Sequence, residues 1–150
     1  CKKTSNNFDT LFNTRVSWVN KMIIKIPVSV GELIDKITIL EIKKVKIKDK
    51  SKLLNIKLEL NLLNNFLKKN KLNKRNLKKL KNDLFKTNSK LWVIEDKLRN
   101  HERKNKFNST FIKLARQVYF LNDNRSVVKK NINEAVGSTI VEEKSYQEYK

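Results

Sequence analysis

Hydrophobic positions recur every three or four residues along most of this chain, which is the period of an α-helix. The run IPVSVGELIDKITILEI, at residues 26–42, is the most apolar of these stretches. At 100° per residue its apolar side chains cover more than half of a helix circumference, and only the strip through Glu32, Lys36 and Lys43 is polar. A helix with so wide an apolar surface packs on several sides. We therefore expect a central helix over residues 30–47.

The start of this central helix has a sequence signal of its own. Ser29 is followed three residues later by Glu32, the spacing of a capping box, in which each side chain satisfies a backbone N–H of the first turn. Pro27 pushes Ile26 towards extended backbone and removes a backbone donor. We expect a short extended arm before the cap, and we assign Ser29, Glu32 and Asp35 structural roles.

Further helices are predicted downstream. The break at residues 48–50 is short, so that the second helix, capped by Ser51, forms an antiparallel hairpin with the first. A third helix is predicted over about 76–104, where leucines follow a heptad pattern that Thr87 interrupts.

The C-terminal part of the chain predicts two more helices. Ser109 is placed to cap a fourth, the run Asn122-Asp123-Asn124 ends it, and Gly137 closes a fifth. The pattern thus predicts an all-α fold of about five helices, arranged as a long helical hairpin or bundle around the central apolar helix, with a short extended N-terminal arm.

Length and composition agree with one helical domain. The chain of 150 residues contains only two Gly and one Pro, so it has few of the turn-forming residues that connect the strands of a β-sheet. Residues 1–21 are polar and aromatic without a period, so we interpret them as a tail or upstream extension outside the domain. Residues 22–150 are expected to form a single helical domain.

The cysteine and hydropathy patterns exclude several classes of site. Cys1 is the single cysteine, so neither an internal disulfide nor a cysteine-based zinc site is expected. His101 has no second histidine to form a metal site with, and no phosphate-binding glycine loop occurs, so we assign no metal and no cofactor. The sequence has no apolar run long enough to span a membrane, and it lacks the succession of charged, apolar and small residues that marks a signal peptide. It therefore favours a cytoplasmic protein.

The formal net charge of +20 raises the question of nucleic acid. Residues 43–106 carry 22 Lys or Arg against 6 Asp or Glu, so the excess lies on the middle helices. Arginine supplies only 6 of the 35 basic residues, whereas base-reading proteins favour arginine. Because Asn and Ile are also abundant, AT-rich codon bias explains much of the lysine, and we rank nucleic-acid binding as the less favoured hypothesis.

The candidate binding residues form a stripe on the fifth predicted helix. Arg125, Lys129 and Asn133 are four residues apart and share a face, with Asn122 one turn earlier. Two like charges at that spacing favour an anion between them. The anion is either internal, from carboxylates of the third helix (Glu95, Asp96, Glu102) or the tail (Glu142, Glu143), or a ligand phosphate or carboxylate.

A second charged set lies on the third predicted helix: Glu95, Asp96, Arg99, Glu102 and Arg103. Separate ion pairs on a solvated helix face contribute little to stability. These carboxylates could act as acid–base groups only if they were partly buried beside Trp92. We take Arg99, Asn122, Arg125, Lys129 and Asn133 as candidate ligand-binding residues. The catalytic residues are unknown, with Glu95 and Glu143 as the candidates for proton transfer.

Several motifs together resemble a small bacterial family that is catalogued only as a domain of unknown function. Its opening is similar to Pro27-Val28-Ser29-Val30-Gly31-Glu32-Leu33, and further motifs occur at 35–40, 91–99, 111–125, 129–133, 137–138 and 141–146. The resemblance covers Met22 to about Tyr149 and leaves the lysine-rich middle unmatched in detail. It implies an association with surface-polysaccharide and sugar-transfer genes, but no established activity.

Three functional hypotheses follow from these observations. The first is a domain that binds an anionic small molecule such as a sugar phosphate or nucleotide sugar, of which a helical isomerase or mutase is the enzymatic form. The second is a helical adaptor that binds a protein partner or a second copy through the leucine seam from Leu77 to Leu98. The third is sequence-independent nucleic-acid binding through the lysine-rich helices.

Overall fold

The computed structural model describes residues 24–70, 72, 75–141 and 143–145 of the 150-residue chain. The predicted tail at residues 1–21 lies outside the described residues. Four α-helices make up the regular structure of the described part: α1 Val30–Lys46, α2 Lys50–Lys69, α3 Arg75–Arg103 and α4 Ser109–Val136. The prediction of an all-α fold with about five helices is confirmed.

Helix α1 is the centre of the packing, as its wide apolar surface predicted. It contacts each of the other three helices, and α3 packs along α4 as a long hairpin. One face of α1 forms a core with α2, through Leu33, Ile37, Leu40, Ile56 and Leu60. An adjacent face forms a second core with α3 and α4, through Ile34, Leu77, Leu84, Val128 and Ile132. The apolar surface of α1 is thus divided between two clusters.

The helix caps agree with the sequence signals at α1 and differ by one or two residues elsewhere. The Ser29 hydroxyl accepts the Glu32 N–H at 3.2 Å. The cap of α2 is Asp49 rather than Ser51, since the Asp49 carboxylate accepts the Lys52 N–H at 2.8 Å. Likewise α4 is capped by Asn108. In both cases an equally good cap residue, one or two positions before the predicted one, accepts from the first-turn backbone donor.

The two helices predicted at the C-terminal end are one continuous helix, α4, which ends at the left-handed Gly137 as expected. The break predicted at residues 122–124 does not occur. The asparagine side chains there bond other groups and do not cap the first turn of a new helix. The Asn122 side-chain amide donates to the Val118 carbonyl within the helix, and the Asn124 amide donates across to Thr87 of α3.

The leucine seam of α3 lies inside this chain. Leu77, Leu84 and Leu91 are buried, the first two against α1 and α4. The seam therefore supplies the chain's own core. Across the described residues, no helix is long and apolar enough to cross a membrane.

We predict that Leu84→Ala destabilises the fold strongly, because Leu84 is fully buried in the core between α1, α3 and α4. A buried Leu→Ala substitution costs about 2–5 kcal/mol, including the cavity it leaves. Urea unfolding measures the loss as a lower midpoint at unchanged slope. Val45→Ala is the control, since Val45 is 78% exposed on α1 and its truncation is expected to change stability by less than about 0.5 kcal/mol. Equal losses in the two variants would contradict this packing.

Candidate functional site

Polar side chains of α4 meet the first turns of α1 in three successive pairs. Gly31 bonds Asn133, Glu32 bonds Lys129 and Asp35 bonds Arg125. The α4 residues are four apart, so they share one face of that helix, and α1 runs antiparallel to it. We call these three pairs the polar ladder.

The Asp35–Arg125 pair is the more buried of the two ion pairs in the polar ladder. The guanidinium binds the carboxylate in a bidentate manner: Nε donates to Oδ1 at 2.8 Å, and Nη2 donates to Oδ2. The Asp35 side chain is 3% exposed and that of Arg125 is 27% exposed. A buried charge of this kind is tolerated only when it is paired and its remaining lone pairs are satisfied.

Helix α3 supplies the remaining hydrogen bond to this carboxylate. The Asn88 side-chain amide donates to Asp35 Oδ1 and to the Thr38 hydroxyl, both at 2.8 Å. The Thr38 hydroxyl in turn donates to the Asp35 backbone carbonyl at 2.8 Å. Since Asp35 lies on α1, Asn88 on α3 and Arg125 on α4, these bonds fix three helices against one another.

The Glu32–Lys129 pair changes the role expected for Glu32. Only half of the predicted capping box forms: Ser29 accepts the Glu32 N–H, but the Glu32 carboxylate accepts from Lys129 Nζ. The Lys129 side chain is 9% exposed, whereas that of Glu32 is 46% exposed. The pair therefore joins a nearly buried cation to a carboxylate at the protein surface.

The Gly31–Asn133 pair requires a glycine. The Gly31 N–H donates to Asn133 Oδ1 at 2.7 Å, and a Cβ at Gly31 would stand 2.6 Å from the Lys129 backbone oxygen. No side chain larger than hydrogen fits between these helices. Asn133 is fully buried, and within the described part of the chain its Nδ2 has no hydrogen-bond partner. That amide is a buried donor available to a further acceptor.

The structure brings together four of the five candidate ligand-binding residues. Arg125, Lys129 and Asn133 form the α4 side of the polar ladder, and the Arg125 Nη1 donates to Asn122 Oδ1 at 3.4 Å. The Lys144 Nζ donates to the Asn122 carbonyl at 3.4 Å, so the segment after α4 passes this end of the ladder. The carboxylates that pair with the α4 cations, Asp35 and Glu32, belong to α1. The sequence assigned them structural roles but did not predict these pairings.

The fifth candidate, Arg99, lies elsewhere. Asn124 of α4 is level with Thr87 of α3, and Arg99 is twelve residues further along α3, about 18 Å away at 1.5 Å per residue. There it pairs with Glu95 and Asp96, at 3.0 and 3.3 Å.

The two acid–base candidates are both solvated. The Glu95 side chain is 44% exposed and lies with Arg99 on the outer part of α3, and Glu143 is exposed in the segment after α4. Glu95 is thus only partly buried, and the neighbouring Asp96 side chain is 58% exposed.

Sequence reasoning missed the α3 side of the site. Asn88 and Thr87 are both buried, Asn88 bonds Asp35, and Thr87 accepts from Asn124 at 3.1 Å. The available signal was the polar interruption of the leucine heptads at Thr87, which marks the point where α3 faces other polar groups instead of core. Among the described residues, no group of three or more His, Cys, Asp or Glu comes together as a metal site.

Comparison with known families gives a match over nearly the whole chain. The chain belongs to the family described as "Family of unknown function (DUF6165)", which matches residues 24–149. The match includes all four helices and every residue of the polar ladder. Neither a curated protein nor a solved structure matches the chain.

We predict that Asp35→Asn costs about 3 kcal/mol of unfolding free energy, because it removes the buried negative charge that Arg125 faces. Asp96→Asn is the same chemical change at an exposed pair with Arg99 and should cost less than about 0.5 kcal/mol. Urea unfolding of both variants at neutral pH makes the comparison. A loss at Asp35 no larger than that at Asp96 would show that the inner pair of the ladder does not hold the fold.

Proposed function

We propose that this member of the family binds a small molecule bearing a phosphate or carboxylate at the first turn of α1. The ligand anion would take the place of the Glu32 carboxylate on Lys129. The observation that carries the proposal is the Asn133 amide, which is fully buried and has a donor without a partner in the described part of the chain.

A buried amide donor of this kind costs about 1–3 kcal/mol when it stays unsatisfied. Proteins retain such a group where a ligand, a water molecule or strain accounts for it. Asn133 lies one helical turn from Lys129, and its other amide atom already holds the Gly31 N–H of α1. A ligand oxygen that accepted from Asn133 Nδ2 would therefore lie beside both the Lys129 ammonium and the start of α1.

The electrostatics of this corner favour an anion. The N-terminal end of α1 carries the positive end of its helix dipole, and Lys129 adds a full charge. The anion that now occupies this position is the Glu32 carboxylate, which is nearly half exposed and leaves its position at little cost. The inner pair, by contrast, keeps Arg125 engaged with Asp35. We therefore assign anion contact to Lys129 and Asn133, and orientation of the site to Arg125 and Asn122.

The chemical class of the ligand follows from the donors. A lysine, an amide and a helix N-terminus suit a phosphate or a carboxylate. The association with surface-polysaccharide and sugar-transfer genes that the sequence resemblance implies favours sugar phosphates and nucleotide sugars. If turnover occurs, Glu143 is the better acid–base candidate, since its neighbour Lys144 reaches Asn122 beside the ladder. A helical isomerase or mutase is the enzymatic form of this proposal.

We predict that Glu32→Gln tightens binding of the anion about 3–10-fold, because it removes the carboxylate that competes for Lys129. Lys129→Met should weaken binding at least tenfold. Isothermal titration at about 0.15 M salt with inorganic phosphate, sugar phosphates, nucleotide sugars and dicarboxylates measures both effects.

The matched control is Lys81→Met. Lys81 also forms a lysine–glutamate pair, with Glu41, but both side chains are about one-third exposed and, in the described part of the chain, no unpartnered buried amide lies beside them. It should leave the affinity unchanged. Binding that falls equally in Lys81→Met and Lys129→Met, or that Glu32→Gln leaves unaltered, would rule out this site.

A second candidate function, a helical adaptor, is favoured by a groove between α3 and α4. Its volume is about 670 Å³, and it is lined by Ser89, Lys90, Val93, Ile94, Gln117, Phe120 and Leu121. The large apolar side chains at its edge, Val93 and Phe120, are 41% and 43% exposed. Lys86, Lys90 and Lys97 lie on the same side of α3, so an acidic amphipathic helix is the partner that complements the groove.

We predict that a designed helical peptide with leucine anchors and flanking glutamates binds this groove, and that Phe120→Asp weakens the complex at least tenfold. A peptide of the same composition with the leucines scattered around the helix controls for charge attraction alone. Fluorescence anisotropy at 0.15 and 0.5 M salt separates the two contributions. Equal binding of both peptides would exclude the groove as an adaptor site.

The lysine-rich surface remains the basis of the nucleic-acid hypothesis. A DNA duplex included in the titration panel addresses it, since phosphate-backbone binding falls steeply with salt. Binding of the duplex that Lys129→Met does not change would place it on the lysine surface and not at the ladder.

A further inference from the structure

Helix α2 carries a line of exposed apolar side chains on the side opposite its core contacts. We call Leu54, Leu58, Leu62 and Phe66 the outer stripe. These residues recur at intervals of four, and their exposed fractions are 59%, 43%, 42% and 54%. They are distinct from the residues that α2 buries, chiefly Ile56 and Leu60. Helix α2 is therefore apolar on two faces.

Only one of those faces has a partner in the described part of the chain. There, α2 packs along α1, through the core that includes Ile56 and Leu60. The outer stripe faces solvent over twelve residues, about 18 Å of helix. Single exposed leucines need no explanation, but a continuous line of four large apolar side chains is typical of an interaction surface.

The charge pattern along α2 shows what kind of surface can cover the outer stripe. Residues 58–67, LELNLLNNFL, contain no lysine or arginine, although residues 43–106 carry 22 of them. Depletion of charge at the centre of an apolar patch is a feature of protein–protein interfaces. Over the whole span of the outer stripe, from Leu54 to Phe66, Lys57 is the single lysine, so two copies of this chain of net charge +20 can approach here with few like charges between them.

The polar residues beside the outer stripe point to a second copy of the chain as the partner. Asn55, Asn61 and Asn65 lie along it and are exposed. An amide has both a donor and an acceptor, so a surface bordered by amides is complementary to itself. An acidic or basic partner would instead require complementary charges here, and the charged residues between Leu54 and Phe66 are only Lys57 and Glu59, of which Glu59 already pairs with Lys36.

We propose that two copies of this protein associate through α2, with the outer stripes facing each other in a twofold-symmetric, antiparallel helix pair. The antiparallel arrangement places Leu58 opposite Leu62 of the partner and Leu54 opposite Phe66 of the partner, and it aligns the two helix dipoles favourably. A single helix pair buries less area than a standard interface, so the dimer is weak, with Kd roughly in the tens of micromolar.

Salt provides the first test. Sedimentation velocity of the full chain from about 5 to 500 µM, under reducing conditions that prevent a Cys1 disulfide, should show a monomer–dimer equilibrium. Because the contact is apolar and the copies repel each other, raising salt from about 0.1 to 0.5 M should strengthen the dimer several-fold. Association that weakens with salt would point to a bridging polyanion and would overturn the proposal.

The second test uses matched variants. Leu62→Glu should abolish the dimer over the same concentration range while leaving the melting temperature of the dilute protein unchanged, since Leu62 is exposed. Ile112→Glu places the same charge at an exposed residue of α4, 57% exposed and outside the outer stripe, and should dimerise normally. A parent chain that stays monomeric at both salt concentrations, or an equal loss in both variants, overturns the proposal.

A membrane surface is the alternative occupant of an apolar helix stripe in a basic protein. Vesicles containing anionic lipid distinguish it. If Leu62→Glu removed vesicle binding while the parent protein remained monomeric in solution, the outer stripe would be a lipid contact and self-association through α2 would be excluded.

Disulfide crosslinking in a Cys1→Ser background tests the antiparallel register. A disulfide between a Leu58→Cys chain and a Leu62→Cys chain should form more readily than one between two copies of either variant. Equal or lower mixed crosslinking contradicts it.

Discussion

The burial of the Asp35 carboxylate is the constraint on which the arrangement of α1, α3 and α4 depends. A carboxylate that is almost completely removed from water is stable only if its charge and lone pairs are satisfied. Arg125 supplies the charge and two hydrogen bonds, and Asn88 supplies a third. Because each donor comes from a different helix, satisfying this one group fixes the rotation and the register of α3 and α4 against α1. The apolar cores on either side are compatible with several registers, whereas this hydrogen-bonded set is compatible with one.

The three pairs of the polar ladder differ in how completely their charges and donors are satisfied. The Asp35 pair is deeply buried, Lys129 is nearly buried but bonds a half-exposed glutamate, and Asn133 is buried with one donor left over. The proposed function therefore separates stability from binding along α4. In this proposal the Asp35–Arg125 pair holds the helices together, and Lys129 and Asn133 contact the ligand. This separation is why the α4 side of the polar ladder, although it is partly an internal ion-pair network, is still proposed as a ligand site.

The fold could be predicted from the sequence to a large extent, because helix period and the scarcity of glycine and proline leave few alternatives. The site could be predicted only in part. Four-residue spacing was enough to group Arg125, Lys129 and Asn133. It could not show that Arg125 pairs with Asp35 and Lys129 with Glu32, since pairing across 90 or more residues is a tertiary property. Glu32 shows the limit most clearly: its spacing from Ser29 indicates a cap, yet a stronger electrostatic partner, Lys129, takes its carboxylate.

An NMR titration of the isotopically labelled protein with inorganic phosphate tests the separation of roles most directly. The account predicts that the Asn133 side-chain amide and the Gly31 backbone N–H shift together and saturate, while the Arg125 Nε–H shows little shift and exchanges slowly with solvent. The Arg99 Nε–H, on an exposed side chain, serves as the reference for fast exchange. An Arg125 Nε–H that exchanges as fast as that of Arg99, or phosphate shifts spread over the lysines with none at Asn133, would contradict the account.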